Sequence, residues 1–220
     1  MSNSAAGSDY VRAVGKRGSL RIYDTVLKLS AREGRWRSAL LNRVAAGLPR
    51  NGTAVDVGAG TGTFAIALAG RRPDVTAIAI DGDESILDLA RAKPGSERVD
   101  WRTGLANELP LEDESADMVT MSLVLHHLSP KTKRAALAEA RRVLRPGGQL
   151  HVADWGPQTD LAMRLVFRHL LQRVDGVRNT QEHADGRIPG IIAEAGFSHV
   201  RSYDSLRTMW GSLELLTSER

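Results

Sequence analysis

Residues Ala54-Val55-Asp56-Val57-Gly58-Ala59-Gly60-Thr61-Gly62-Thr63 decide how this chain folds. A short apolar run of the buried-strand type leads into three alternate glycines and then into a helical segment, Thr63 to Leu68. Without Cβ atoms at Gly58 and Gly60 the chain can turn tightly and bring its N–H groups close to a ligand, and the helix that follows adds partial positive charge. Such a loop lets a ligand lie on the backbone. A strand followed by GxG is weak evidence on its own, because a purely structural glycine turn looks the same. The dinucleotide fingerprint needs its third glycine at residue 63, which is Thr63, while the third glycine here stands one place early at Gly62. Asp56 also interrupts the apolar strand. A buried carboxylate there must be hydrogen-bonded or paired, so it either braces the loop or faces a cationic part of the ligand.

Outward from this loop, short β-rich runs (Ala54 to Val57, Val75 to Ile80, Val99 to Arg102, Met118 to Met121, Leu150 to Ala153) alternate with helical patterns, clearest at Glu84 to Ala92 and Lys131 to Leu144. That alternation predicts a parallel sheet with helices on both faces. Asp83 is placed to N-cap one helix, and Ser129-Pro130 opens another with proline at its first position. Arg145-Pro146-Gly147-Gly148 is expected to close that helix and turn into the next strand. Helical patterns return at Asp160 to Val174 and Ile188 to Ala195, and His199 to Ser202 with Met209 to Leu216 read as a closing pair of strands. The second strand ends at Asp81, where a carboxylate can accept both hydroxyls of a ribose; Asp83 is the better cap, which leaves Asp81 for nucleoside binding.

The 220 residues are enough for one domain with a full core. Residues 1–19 are expected to be a flexible tail and 20–220 a single domain, with basic helices at 20–50, a ligand-binding core at 51–155, and further helices and the closing strands at 156–220. The tail lacks the apolar core of a signal peptide, and no apolar run reaches membrane-spanning length, so a cytoplasmic protein without membrane insertion is expected. Ten of the 30 Lys and Arg, but three of the 26 Asp and Glu, precede residue 51. The net charge of +4 is therefore an N-terminal property, carried by two expected helices that break near Glu33-Gly34.

Cysteine is absent, which excludes disulfides, thiolate metal sites and any cysteine nucleophile. His151, His169, His183 and His199 show no zinc or iron spacing, so no metal is expected.

Val55-Asp56-Val57-Gly58-Ala59-Gly60-Thr61-Gly62, Asp81 and Leu144-Arg145-Pro146-Gly147-Gly148 together resemble the class I S-adenosylmethionine-dependent methyltransferases. Within them, Leu109-Pro110-Leu111, Asp117-Met118-Val119 and Ser122-Leu123-Val124-Leu125-His126-His127-Leu128 are similar to the small-molecule branch related to the ubiquinone and menaquinone biosynthesis C-methyltransferases. The resemblance implies an α/β three-layer sandwich around a seven-stranded, mostly parallel sheet of order 3-2-1-4-5-7-6, its last strand antiparallel, under N-terminal lid helices. The implied cofactor is S-adenosyl-L-methionine, with S-adenosyl-L-homocysteine as product. Gly58, Ala59 and Gly60 would approach its methionine part beside Asp56, Thr61 would lie near its carboxylate, and Asp81 with Gly82 would hold the ribose. Gly104, Leu105 and Ala106 match the adenine-contacting stretch. Leu105 stands where the family commonly carries a polar residue, so backbone contacts or the Asn107 side chain would take over recognition of the adenine amino group. Ser122 would line the cofactor beside the methyl group, and Tyr23, with Arg32 or Arg37, would reach it from the lid.

Methyl transfer from a sulfonium needs alignment in a dry pocket and at most one general base. The candidates are His127, preferred by family position, then His126 and Asp154, all expected at C-terminal ends of strands; packing or helix-capping roles compete. Adjacent side chains diverge, so one histidine is expected to face the pocket. The expected function is methyl transfer to a small organic acceptor. The segment after the fourth strand lacks the Asn-Pro-Pro-aromatic or Asp-Pro-Pro-aromatic signature of nucleic-acid amino methylation, which disfavours nucleic acid as acceptor. The alternatives are an RNA or protein methyltransferase gripping its partner with the basic helices, or a nonenzymatic cofactor-binding protein.

Overall fold

The computed structural model describes residues 33–220. The expected tail, the first lid helix, Tyr23 and Arg32 lie outside the described residues. Seven strands form one sheet in the order β3-β2-β1-β4-β5-β7-β6. They are β1 (Thr53–Val57), β2 (Thr76–Asp81), β3 (Val99–Thr103), β4 (Ala116–Ser122), β5 (Leu144–Trp155), β6 (Ser198–Arg207) and β7 (Ser212–Glu219). Strands β1 to β5 pair in parallel, and β7 runs antiparallel between β5 and β6. This is the expected topology.

Side chains alternate across the strands, and the two faces bury different partners. Val55, Val57, Val119, Met121, Leu150 and Val152 meet Leu137 and Ala140 of α4 (Pro130–Val143) and Ile191 and Ile192 of α8 (Ile188–Glu194). Ala54, Met118, Ala153 and Trp155 face α1 (Glu33–Gly47) and α2 (Thr63–Arg71) through Trp36, Leu40, Val44, Phe64 and Leu68. Trp36, Leu40 and Val44 sit at i, i+4 and i+8 and are fully buried, each contributing roughly 2 kcal/mol by removing apolar surface from water. The alternation also places Asp56, Thr120 and Ser122 on the α1 face and Asp154 on the α4 face.

The caps follow the sequence. Asp83 accepts Ser85 N–H at 3.0 Å to start α3 (Glu84–Arg91), Ser129 caps α4 with Pro130 in its first turn, and Asp160 accepts Met163 N–H at 2.8 Å to start α5 (Leu161–His169). Two expectations are corrected. The helix does end before Arg145, at Val143, and Gly147 takes the expected left-handed conformation at φ +77°, but Arg145 to Gly148 belongs to an irregular start of β5, in which Leu144 pairs Ala116 and Gln149 already pairs Met118. The single helix expected from Asp160 to Val174 breaks at Leu170 into α5 and α6 (Leu171–Asp175), and Gly176 separates α6 from an unanticipated α7 (Val177–Ala184).

Candidate active site

The strand order reverses on either side of β1, and the crevice beyond the carboxyl ends of β1, β2 and β4 is where open α/β sheets receive ligands. The glycine loop fills the mouth of that crevice. Gly58 N–H and Ala59 N–H both donate to Ile80 O, at 2.8 and 3.0 Å, and Gly60 N–H donates to Asp81 Oδ2 at 2.8 Å. These donors are spent within the protein, so the loop offers a ligand its Cα surface and not, as expected from the sequence, those N–H groups. The glycines differ in what forbids a side chain. At Gly62, φ +70°, a Cβ would lie 2.2 Å from Trp101, whereas at Gly60, φ +53°, it would meet nothing within 4 Å. Gly62 is a packing residue, and Gly60 faces open space.

Asp81 accepts Asp83 N–H at 3.0 Å on its other oxygen, so each carboxylate oxygen keeps a lone pair for a further donor. Gly104 N–H donates to Asp81 O at 3.0 Å, which sets the turn Leu105 to Glu108 beside β2. Leu105 and Ala106 are half-buried there, and Asn107 is exposed. Thr61 O is held by Lys93 Nζ at 2.6 Å.

On the α1 face, Asp56 is buried and accepts Thr120 Oγ1–H at 2.8 Å. Burial raises its carboxyl to about 7, against the lowering effects of the Thr120 hydroxyl and the nearby Arg37 guanidinium. Of the sequence alternatives for Asp56, bracing is realised through Thr120, and the second carboxylate oxygen is left for a cation. Ser122 Oγ and Arg37 Nε are buried without a hydrogen-bond partner on this same face. Beside the ion pair of Arg37 with Glu33, these two atoms remain available to a polar ligand. Asp56, Arg37 and Ser122 therefore fit the amino-acid end of S-adenosylmethionine, and Asp81 fits its ribose. Immediately after Ser122, Leu123 takes φ +56°, a left-handed conformation that is costly for a bulky residue and is held by its N–H bond to Ala153 O at 2.8 Å. Nothing in the sequence marked it.

The histidines sit on the other face. A 3-10 turn, Leu125 to His127, follows β4 and turns both rings the same way, with centroids 3.9 Å apart. The expectation that adjacent side chains diverge is corrected: a tight turn does not have the alternation of a strand. His126 Nδ1 lies 2.7 Å from Asp154 Oδ1, and both residues are buried. Burial alone would depress His126, but Asp154, by charge and hydrogen bond, and Asp175 by charge push it above the usual imidazole range. Burial would likewise raise Asp154, yet His126, His183 and the Trp155 N–H hold it well below the carboxylate range. His183 is buried under the pair, its Nδ1 2.8 Å from Trp155 O, and burial lowers it to about 4.

His127 is the open member, its side chain 40% exposed. Its Nδ1 lies 3.1 Å from Asp175 Oδ1, and its carbonyl accepts Asn179 Nδ2–H at 3.0 Å. Asp175 Oδ2 is 3.9 Å from His126 Nε2. The donor atoms of His126, His127 and Asp175 lie within 4.8 Å of one another. Sequence reasoning missed Asp175, because only the break at Leu170 and Gly176 folds α6 back over the turn.

A seven-stranded sheet of this order, with a glycine loop after β1, an acid closing β2 and an unpartnered hydroxyl closing β4, defines a class I methyltransferase fold. The family model described as a methyltransferase domain matches residues 54–148. The chain is 36% identical over 159 residues to a demethylmenaquinone methyltransferase of Deinococcus radiodurans, covering 70% of this chain and 64% of that relative. It is 32% identical over 186 residues to the ubiquinone/menaquinone biosynthesis C-methyltransferase UbiE of Methylobacterium nodulans, covering 75% and 73%. The solved structure of a methyltransferase from Aquifex aeolicus, dependent on S-adenosylmethionine, superposes with TM-score 0.63 at 21% identity over 93% of this chain and 99% of that one. The chain belongs to the class I S-adenosylmethionine-dependent methyltransferases and within them resembles the ubiquinone/menaquinone family. Among the described residues no helix is long and apolar enough to cross a membrane.

Proposed function

We propose that the chain transfers a methyl group from S-adenosylmethionine to a small organic acceptor of aromatic or quinone type by direct displacement, with His127 receiving the acceptor's proton. The observation that carries this reading is the half-open His127 ring packed 3.9 Å from the ring of His126, itself bound to Asp154, in the turn that follows β4. The names of the relatives support the acceptor class.

When bound, the cofactor supplies a methyl carbon on a sulfonium whose departure leaves a neutral thioether. Asp81 holds the ribose, and Asp56 with Arg37 holds the charged amino-acid end, leaving Ser122 beside the reacting carbon. His126, kept toward its charged form, does not serve as the base; it supports the ring above it. His127 removes a proton from the acceptor as the acceptor's new bond to carbon forms, a contribution on the order of 100-fold or more to rate. Trp155, packed edge-on to His126 with ring centroids 6.2 Å apart, keeps water from the pair.

Titration with S-adenosylhomocysteine is the test of cofactor binding, and absence of binding at millimolar concentration would sink the reading. Asp81→Ala is expected to weaken that affinity at least tenfold, because it removes the ribose acceptor and the anchor of Gly60 together. A screen of small phenols and quinols for homocysteine release then tests the acceptor class.

A further inference from the structure

We propose that Asp175, at the end of α6, is the positioning residue of the methyl-transfer base: its carboxylate takes the Nδ1–H of His127 and so leaves Nε2 of that ring as the free lone pair. This rests on the methyltransferase reading and names the part that orients its base. Three observations carry it. Asp175 Oδ1 is 3.1 Å from His127 Nδ1, a contact in which the carboxylate is 12% exposed and the imidazole 40% exposed. Asn179 of α7, which follows Asp175 across Gly176, binds the carbonyl of His127, and the Asn179 carbonyl in turn accepts Lys133 Nζ of α4 at 3.0 Å, so the chain just after Asp175 is tied to the turn bearing His127. His126 beneath presents Nε2 to the other Asp175 oxygen at 3.9 Å.

The three residues also have the donor types of a divalent-metal site. His126 Nδ1, however, is already taken by Asp154 at 2.7 Å, its Nε2 stands 3.9 Å from Asp175, and both carboxylates push the ring toward its protonated form, which works against its use as a metal ligand. In the proposed step, the acceptor's proton passes to His127 Nε2 while the acceptor bonds to the methyl carbon and sulfur departs with the electrons of the broken bond. The imidazolium formed is stabilised by Asp175 and later returns its proton to solvent.

The experiment is nitrogen-15 NMR of the histidine rings in the whole chain, with and without S-adenosylhomocysteine, at a pH where His127 is neutral, with His127→Gln to assign its signals. The wild-type ring is expected to carry its proton on Nδ1. Asp175→Ala is expected to shift Nε2 from a pyridine-like to a pyrrole-like resonance, as in free imidazole side chains, and Asp175→Glu to restore the wild-type pattern. A wild-type ring protonated on Nε2 would overturn the proposal without any variant having to fold, as would an Asp175→Ala ring that keeps its tautomer. Stoichiometric binding of Zn²⁺ that perturbs both rings and is lost in Asp175→Ala would overturn it in favour of a metal site. If the wild-type chain fails to bind S-adenosylhomocysteine, the methyltransferase reading falls and the proposal with it; intact binding with the wrong tautomer removes only the role of Asp175.

Discussion

His126 Nδ1 and Asp154 Oδ1 meet at 2.7 Å beneath the end of the sheet, and neither residue is more than 4% exposed. The pair draws an element after β4 and the end of β5 into one unit, since Asp154 also accepts the backbone N–H of Trp155 at 2.7 Å. Its partners perturb each other in opposite directions, which makes it testable by pH.

Asp154→Ala is expected to cost about 3 kcal/mol of stability, because it leaves His126 buried without its carboxylate. Asp154 is depressed on folding, so its contribution is present above the ordinary carboxylate range and is lost as pH falls through its low folded value. His126 is raised, so its contribution is full below about 6.5 and is lost as pH rises through its folded value. Urea unfolding of wild type and variant should therefore differ most between about pH 4 and pH 6.5; a difference that grows above pH 8 would contradict the pairing.

Asp56, at about 7 before a ligand arrives, should ionise when a cationic amino group takes its free oxygen. Calorimetric titration of S-adenosylhomocysteine at pH 6 in buffers of different ionisation enthalpy is expected to show release of about one proton per site, since about nine-tenths of the carboxyl is protonated one unit below its midpoint. Affinity should rise with pH up to about 7 and then flatten. Asp56→Asn should abolish the proton release.

Gly60→Ala and Gly62→Ala should separate binding from folding. Both place a side chain in the left-handed region, at about 1–2 kcal/mol. Gly62→Ala adds a collision with Trp101 and is expected to lose more than about 2 kcal/mol in thermal or urea unfolding. Gly60→Ala meets no protein atom and should show only that backbone cost on unfolding while losing cofactor affinity.

His151, on β5 against α1, is fully buried with neither ring nitrogen hydrogen-bonded. Burial, with the Arg43 charge nearby, lowers it to about 4. The unfolded chain therefore binds more protons here, and stability should fall by about 3 kcal/mol as pH drops from about 6.5 to about 4. His151→Leu should flatten that acid limb in chemical denaturation; an unchanged limb would mean the ring is hydrogen-bonded in solution.

For the reaction itself, His127→Gln is expected to lower turnover 100-fold or more, on the order of a lost general base, with S-adenosylhomocysteine affinity unchanged. His126→Gln should instead lower stability first. Steady-state rates with an acceptor from the homocysteine-release screen, set beside unfolding curves, distinguish the two.

Most of the sheet was legible in the chain, because the signals that specify it are local. The spacing of Val55, Val57 and the glycines, the alternation of strands with capped helices, and the acid at Asp81 each depend on neighbours within a few positions. The same holds for Gly60 and for the Asp83 and Ser129 caps. Where competing local signals met, the local reading held only in part: Pro146-Gly147 suggested a turn, but pairing of Leu144 with Ala116 drew the segment into β5.

The site divides along the same line. Asp56, Asp81, Ser122 and the two histidines could be named from the sequence, since strand ends expose side chains at predictable places. Asp154 could be named too, as a candidate base, but its pairing with His126 across 28 residues could not be foreseen, and Asp175, 48 residues from His127, was missed altogether. By itself the sequence determined the fold family, the cofactor loop and the absence of thiol chemistry. Only the tertiary structure decided which histidine is locked and which is open. That outcome depends on burial and on charges brought together by a break at Leu170 and a turn at Gly176, where no local pattern records the contact.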